Sequence, residues 1–303
     1  MVLVSVVMGA YNADSYIKAA VDSILGQSFT DFEFIIINDG STDKTGKILA
    51  NYKDKRIRVI SQDNQGLVAS LNTGIKMASG KYIARQDADD ISEPTRLEKQ
   101  IDLLQSSNKL VVAGSSIKVM DMGGKIMHEH RVLLNNPELK QELLIRSPFA
   151  HGSVIMQKDA VTKAGGYLKS EWPAEDYGLW LRMAEFGNFA NLDEPLYIYR
   201  ENVAGISAVN TSFQHEKVSK LHNYAWQRSK LLLKPGRINL SRYKNLAHGQ
   251  ERINRILNTS SWIAKKSIRM KQPIIFTRTV KSISANAVTY RRLAGKIKRR
   301  IIK

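Results

Sequence analysis

The chain has 303 residues, enough for one large domain with an appendage or for two modest ones, and at 43% hydrophobic with seven prolines it is composed like a folded globular protein. It contains no cysteine, which excludes disulfides, thiolate metal sites and a cysteine nucleophile and fits a reducing compartment. The net charge of +18 is unevenly placed: residues 212–303 hold 23 Lys and Arg against two acids, Glu216 and Glu251, so that segment carries +21 and the remainder −3.

The opening MVLVSVVMGAYN has no basic leader and no small-residue cleavage site, so it reads as a buried strand over Val4 to Met8 and not as a signal peptide. No stretch approaches the roughly 18 to 20 apolar residues of a membrane span, and the expectation is a soluble or peripheral protein. Asp14 and Ser15 are candidate caps for a helix with Ile17, Ala20, Val21 and Ile24 on one face. Phe34 to Ile37 is a second strand, and NDGSTD, Asn38 to Asp43, supplies the turn and cap for a helix through Ile48, Leu49 and Tyr52. Arg58 to Ile60 is a third strand. Leu67, Leu71, Ile75 and Ala78 form the next helical stripe, ended by Gly80, and Tyr82 to Ala84 is a fourth strand. This alternation predicts βαβ units feeding a largely parallel sheet.

Ser92 and Pro94 then mark a helix start, with Leu97, Ile101 and Leu104 on one face. Leu110 to Met120 and Ile126 to Val132 flank Met122, Gly123 and Gly124 and read as a hairpin that turns the sheet antiparallel. Gly152 to Met156 is another strand, and Glu175 to Phe186 a helix stopped by Gly187. Beyond about Thr211 the pattern becomes basic helical segments broken at Pro235-Gly236, Asn258 to Ser261 and Pro273. The expected organisation is a catalytic domain over 1–211, divided into halves at 1–100 and 101–211, and a basic helical tail over 212–303.

The densest chemistry lies in Gln86-Asp87-Ala88-Asp89-Asp90, directly after a predicted strand. Ligands of open α/β sheets gather at the carboxyl ends of strands. Carboxylates so close together repel one another unless a cation neutralises them, and hard oxygen ligands suit Mg²⁺ or Mn²⁺. The alternative is a solvated acidic loop that precedes a helix. Asp39 follows the second strand in the same way, which allows one crevice to hold a base or ribose at one end and a diphosphate with its metal at the other; alone, NDGSTD is also an ordinary strand–turn–helix connection. Neither GxGxxG nor GxxxxGK[ST] occurs, so bound phosphates would need a metal to help hold them.

SVVMGAYN at Ser5 to Asn12, NDGSTD, NQG at Asn64 to Gly66, ARQDADDISEPTRLEKQ at Ala84 to Gln100 and AED at Ala174 to Asp176 appear in that order. Together they resemble family 2 glycosyltransferases of the GT-A fold over about the first two-thirds of the chain. Nucleotidylyltransferases would instead show a Gly-rich N-terminal loop with a basic residue, where this sequence has AYNAD. The resemblance implies an α/β fold, a Rossmann-like nucleotide-binding mixed sheet flanked by helices, followed here by a C-terminal basic α-helical extension. It implies an inverting transfer from a nucleotide-sugar donor, with uracil the preferred base, to an acceptor hydroxyl in cell-surface polysaccharide or glycolipid synthesis.

By the same resemblance Ala10, Tyr11 and Asp39 contact the base, Asp87 lies near the ribose or a metal-bound water, Asp89 ligates Mn²⁺ or Mg²⁺, and Arg85 pairs with phosphate or holds the acidic loop. Asp176 is the general base, placed opposite the leaving group to take the acceptor hydroxyl's proton; a helix N-terminal acid favoured by the macrodipole is the structural alternative. Glu175 binds acceptor. His151 lies near the diphosphate or acceptor, or is structural. Tyr199-Arg200 resembles a motif after which some members carry a histidine; here that place is Asn202, which questions a side-chain contribution from this loop and leaves Arg200 and Ser207 as phosphate contacts. Trp172, Trp180 and Tyr167 flank AED and offer rings for an acceptor sugar, with Trp180 also spaced as a core residue.

In the tail, Ile253, Ile256, Trp262, Ile263, Ile268, Leu293, Ile297 and Ile301 interleave with Lys and Arg. Basic amphipathic segments suit an anionic leaflet, each near-surface cation adding on the order of 1 kcal/mol. The expectation is a cytoplasmic protein held on the inner face of the cell membrane; packing on the catalytic domain or in a homo-oligomer is the other reading of these helices. A +21 segment also attracts nucleic acid, but no zinc-finger spacing, RNP motif or recognition-helix turn supports that partner.

Overall fold

The computed structural model describes residues 2–143 and 146–202, together with Val218 and Leu221. The expected tail segments beyond Leu221 lie outside the described residues, as does Ser207. The first half follows the predicted order: β1 (Val4–Ala10), α1 (Ile17–Leu25), β2 (Phe32–Asp39), α2 (Thr45–Ala50), β3 (Ile57–Gln62), α3 (Leu67–Met77) and β4 (Tyr82–Arg85). Strands β3, β2, β1 and β4 lie side by side and parallel, with Val6 opposite Phe34 on one side and Ala84 on the other.

Because both faces of this sheet are covered, β1 and β2 read as nearly unbroken apolar runs. Alternate residues separate into two layers. Val4, Val6, Met8, Phe34 and Ile36 pack with the buried face of α1, whereas Val7, Ile35 and Ile37 pack with Leu71 and Ile75 of α3.

The second half is β5 (Ile91–Ser92), α4 (Arg96–Gln105), β6 (Leu110–Met120), β7 (Ile126–His130), α5 (Asn136–Glu142), β8 (Ile155–Gln157), α6 (Lys158–Lys163), α7 (Glu175–Met183) and β9 (Asn188–Arg200). The sheet runs β3-β2-β1-β4-β8-β6-β9-β5, with β7 paired to β6. Strand β8 is antiparallel to both β4 and β6, while β6 and β9 run parallel, so the sheet is mixed.

Several local expectations shift. Asp14 and Ser15 do not cap α1, whose N-cap is Tyr16 without a side-chain bond; the Ser15 hydroxyl donates to Asp14 instead. Ser92 does not start α4. It pairs in β5 with β9, and its hydroxyl donates to Gln86 Oε1 at 2.6 Å. The first turn of α4 is capped from afar, the Leu97 N–H donating to Gln27 Oε1 at 3.0 Å. His151–Ser153 is a 3₁₀ turn rather than the start of a strand, and α7 ends at Met183 rather than at Phe186. The long β9 was not expected. Its polar and proline positions hide it, and the register with β6 jumps between Ser115↔Leu192 and Ser116↔Pro195, which leaves Asp193 and Glu194 in a bulge just before Pro195. Val218 and Leu221 both adopt helical conformation and pack on the layer formed by α3, α6 and α7.

Gly80 does not end α3, which stops at Met77. It lies against the backbone of β1: an added Cβ would sit 2.6 Å from Ser5 N and 2.8 Å from Val4 C. Strand backbone cannot step aside as a side chain can. Gly80→Ala is expected to destabilise the fold by roughly 1–3 kcal/mol, read as a lower urea midpoint at unchanged m-value.

Candidate functional site

The carboxyl ends of β1, β2 and β4 open into a cavity of about 770 Å³ lined by residues that are distant in sequence. Ala10, Tyr11, Asp39, Asn64, Gly66 and Ser70 line it together with His151, Trp172, Glu175 and Asp176, the Asp87–Asp90 run, Arg200 and Asn202. Of the described candidates only Arg85, Tyr167 and Trp180 do not border this space. Arg85 lies beneath it, 1% exposed.

Asp39, at the end of β2, is nearly buried. Its Oδ1 accepts from Gln62 Nε2 at 2.7 Å and from the Gln65 N–H at 2.9 Å, and its Oδ2 from the Gly66 N–H at 2.8 Å. A carboxylate offers about four lone-pair positions, so one on Oδ2 stays open to a ligand N–H. Tyr11 is 54% exposed at the rim. The loop that carries it is tied to the loop after β2, for Asn12, at φ 47°, accepts from the Thr42 N–H at 2.9 Å.

The acidic run is held from below. Arg85 binds Asp87 Oδ1 through Nη2 at 2.6 Å and the Gln86 carbonyl through Nη1. Burial works to lower the Arg85 pKa, but Asp87 overcomes it and the guanidinium stays charged. Of the two roles open to Arg85, it takes that of holding the loop. Gln86, fully buried, donates to the carbonyls of Asp87 and Asp90 at 3.1 and 3.0 Å. Tyr197 bridges β9 to the run: its hydroxyl accepts from the Asp87 N–H at 3.1 Å, and its presence beside Asp90 works to lower that carboxyl's pKa. The Arg200 N–H donates to Asp90 Oδ1 at 2.7 Å. Its guanidinium donates to the carbonyls of Asp89, Asp121 and Met122 and lies 4.5 Å from the Tyr16 ring, so it fastens the acidic loop to the β6–β7 turn. Asn202 borders the cavity, and its side chain works to lower the Asp89 pKa.

Burial raises the Asp89 pKa and the negative charge of Asp87 raises it further; Asp90 is pushed well above the carboxylate range by burial and by Asp87 and Asp89. That is the signature of crowded acids whose charge Arg85 and Arg200 offset only in part. Among the described residues no three His, Asp or Glu side chains form a cluster able to hold a cation. The donors therefore fit a hard cation taken up by one or two carboxylates and completed by substrate phosphates and water, rather than one caged by protein.

Across the cavity, Glu175 and Asp176 begin α7. Glu175 is 5% exposed and its Oε2 has no partner; burial and then the charge of Asp176 lift its pKa to about 7. Asp176 is also raised by burial, but the Tyr177 N–H and the Ser147 hydroxyl, 3.2 Å from Oδ2, favour its charged form. The Trp180 indole favours it as well, although its Nε1 falls short of hydrogen-bond geometry. Trp180 is core, with Phe149 packed edge-on at 5.4 Å. Tyr167 is buried too, its hydroxyl 2.7 Å from His151 Nε2. Burial and Arg85 press the His151 pKa down to about 3, so its ring is neutral at physiological pH. Trp172 borders the cavity, half-buried.

The family model described as glycosyl transferase family 2 matches residues 5–166, more than half of the chain. The chain belongs to glycosyltransferase family 2. It is 35% identical over 231 residues to an uncharacterized glycosyltransferase of Haemophilus influenzae, covering 72% of each chain. It is 34% identical over 204 residues to the O-antigen biosynthesis glycosyltransferase WbnJ of Escherichia coli, covering 65% of this chain and 79% of the other. The fold is the GT-A fold of this family. Residues 1–349 of Staphylococcus aureus TarS, solved with UDP-GlcNAc, superpose with TM-score 0.61 at 17% identity, covering 98% of this chain and 92% of the other. The Pyrobaculum calidifontis mannosyltransferase PcManGT, solved with GDP-Man and Mn²⁺, superposes with TM-score 0.55 at 14% identity, covering 99% and 80%.

Three buried groups next to this glycosyltransferase site carry no role in the sequence pattern: Gln86 and Arg96, which stand inside the ARQDADDISEPTRLEKQ motif, and Tyr197. Gly152 was read only as a strand residue, yet a Cβ there would collide with the Tyr197 hydroxyl and come within 2.6 Å of Asp87 Oδ2.

Glu175 also makes the pH dependence of stability legible. Its folded pKa of about 7 lies above the ordinary 4.5, so as pH rises between these values the unfolded chain loses its proton first and stability falls. Glu175→Gln is expected to stabilise the protein at pH 8 by on the order of 2 kcal/mol and to leave it nearly unchanged at pH 4.5, measured by denaturant titration at both pH values.

Proposed function

We propose that the protein transfers a sugar from a nucleotide-sugar, a UDP-sugar by preference, to an acceptor hydroxyl with inversion at the anomeric carbon. The observation that carries this reading is one cavity lined both by the crowded Asp87, Asp89 and Asp90 and by the Glu175–Asp176 pair. The relative named for O-antigen biosynthesis supports a product in cell-surface polysaccharide or glycolipid, and the neighbour solved with UDP-GlcNAc supports the uracil preference.

Asp39 offers its open lone pair to a base N–H, with Tyr11 and Ala10 beside it. Asp89, with Asp87, would hold Mn²⁺ or Mg²⁺, and the neighbour solved with Mn²⁺ supports that assignment. When bound, the cation offsets the charge that builds on the departing nucleoside diphosphate. Arg200 keeps the acidic loop in place and borders the same space, where it can also meet phosphate. Asp176 takes the acceptor hydroxyl's proton as that oxygen bonds to the anomeric carbon and the bond to the diphosphate oxygen breaks. Glu175, Trp172 and His151 form the acceptor side: a carboxyl that can donate or accept near neutrality, an indole face and a neutral imidazole.

Asp176→Asn keeps shape and removes basicity. It is expected to keep donor affinity within about twofold and to lower transfer by roughly 10²–10⁴-fold; full activity would dismiss Asp176 as base. Asp89→Ala should remove the cation dependence of nucleotide binding in isothermal titration. A thermal-shift series of nucleotide-sugars with and without Mn²⁺ identifies the donor.

The basic tail is proposed to hold the enzyme at an anionic leaflet on the cytoplasmic side, beside a lipid-linked acceptor. Among the described residues no helix is long and apolar enough to cross a membrane. A cut after Thr211 would remove Val218 and Leu221 from the core, so the informative truncation ends after His222. It is expected to abolish sedimentation with anionic liposomes at low salt while leaving donor binding intact; unchanged sedimentation refutes the membrane role.

A further inference from the structure

Arg96 is the first residue of α4, is fully buried and does not border the cavity. Its guanidinium nevertheless joins the two walls of the site. Nη1 donates to the Gly152 carbonyl at 2.8 Å, in the turn that carries His151, and Nη2 donates to the Arg85 carbonyl at 3.0 Å, at the end of β4. Its Cζ lies 5.3 Å from the ring centroid of Tyr197, whose hydroxyl accepts from the Asp87 N–H and so bridges β9 to the acidic run. Nothing else among the described contacts binds the strand end before the acidic run and the His151 turn through one rigid group.

A buried guanidinium beside a second one, Arg85, is costly unless it does something that a neutral side chain cannot. We propose that Arg96 is a positioning residue for transfer, a fork that fixes the acidic loop against the acceptor-side turn so that Asp87 and Asp89 are aligned before any cation arrives. The inference rests on the proposed cation-assisted reading of this cavity. The fork is what matters, because a strand carbonyl and a turn carbonyl are bound at once by separate nitrogens held in one plane; a lysine has its donors on a single nitrogen and lacks that fixed spacing.

The test compares wild type, Arg96→Lys and Tyr197→Phe in the full-length chain. Two quantities are read: amide hydrogen exchange in peptides covering 85–92 and 150–155, and the affinity for UDP with and without Mn²⁺. In Arg96→Lys, exchange is expected to rise in both peptides together while other regions keep their protection. The Mn²⁺-dependent gain in UDP affinity should fall about 10- to 100-fold, the range for partners that orient metal-binding groups. Tyr197→Phe keeps the ring and the fold and removes only the bridge; it should loosen 85–92 and leave 150–155 protected.

Exchange like wild type in Arg96→Lys overturns the proposal. So does faster exchange with an unchanged Mn²⁺-dependent gain, which is what a purely structural arginine would give. Should Arg96→Lys not fold, a Tyr197→Phe protein with undisturbed 85–92 exchange and wild-type Mn²⁺ dependence overturns it as well. A wild type whose UDP affinity ignores Mn²⁺ sinks the functional reading itself, a result distinct from either outcome for the variants.

Discussion

Three carboxylates within four residues, at the end of a buried strand, repel one another, and most of the neighbourhood is arranged around that repulsion. Desolvation makes it worse, since charges withdrawn from water interact through a lower dielectric. The protein answers in two ways. Arg85 supplies a permanent counter-charge to Asp87, and neutral groups fix the rest: Gln86 on two loop carbonyls, the Tyr197 hydroxyl on the Asp87 N–H and the Arg200 N–H on Asp90. The loop is held in shape, yet its charge is not cancelled. Asp89 and Asp90 remain raised, so a cation arriving with an anionic ligand meets groups already placed and still short of positive charge.

That arrangement explains why Arg85 and Arg96 lie under the loop, whereas Arg200, held by the loop's own Asp89 carbonyl, borders the cavity. Arg85 and Arg96 are nearly or wholly inaccessible, and burial has brought Arg96 down to about 10, still protonated at neutral pH. Placed in the cavity, either guanidinium would pair with the acids and close the site to a metal. Placed beneath, each is anchored by backbone carbonyls and shapes the loop from behind. Gly152 belongs to the same packing, because only a residue without a side chain lets the His151 turn come this close to Asp87 and Tyr197.

What the sequence revealed follows from how local each signal is. Strands β1, β2 and β4 are continuous apolar runs, α1 and α3 carry one apolar face, and acids directly after a strand announce a strand-end site; each needs only neighbouring residues to be read. The order of five short motifs extended that reading to family, fold and the residues around the cavity. The misses are long-range. Leu97 is capped by Gln27, 70 residues away, Arg96 meets Gly152 across 56 and Tyr197 meets Asp87 across 110. No periodicity encodes such pairs. Strand β9 was hidden for a related reason: its polar residues and Pro195 contradict a central strand until the bulge against β6 is known.

The two acids that begin α7 show how position, rather than residue type, separates their chemistry. Both are withdrawn from water and both stand in the first turn of a helix, where the macrodipole favours negative charge. Glu175 has an unpartnered oxygen and lies beside the charge of Asp176, so near neutrality it is divided between its acid and its base form. Asp176 receives the Tyr177 N–H and the Ser147 hydroxyl, which hold part of the burial effect in check. A pair whose environments push its members apart divides the work between them. In the proposed transfer the better hydrogen-bonded charge suits the group that must accept a proton, and the half-protonated neighbour suits one that hydrogen-bonds a hydroxyl in either sense. A base at Glu175 would require an acid that is half protonated at neutral pH to be ionised whenever an acceptor arrives, which favours Asp176 for that proposed role.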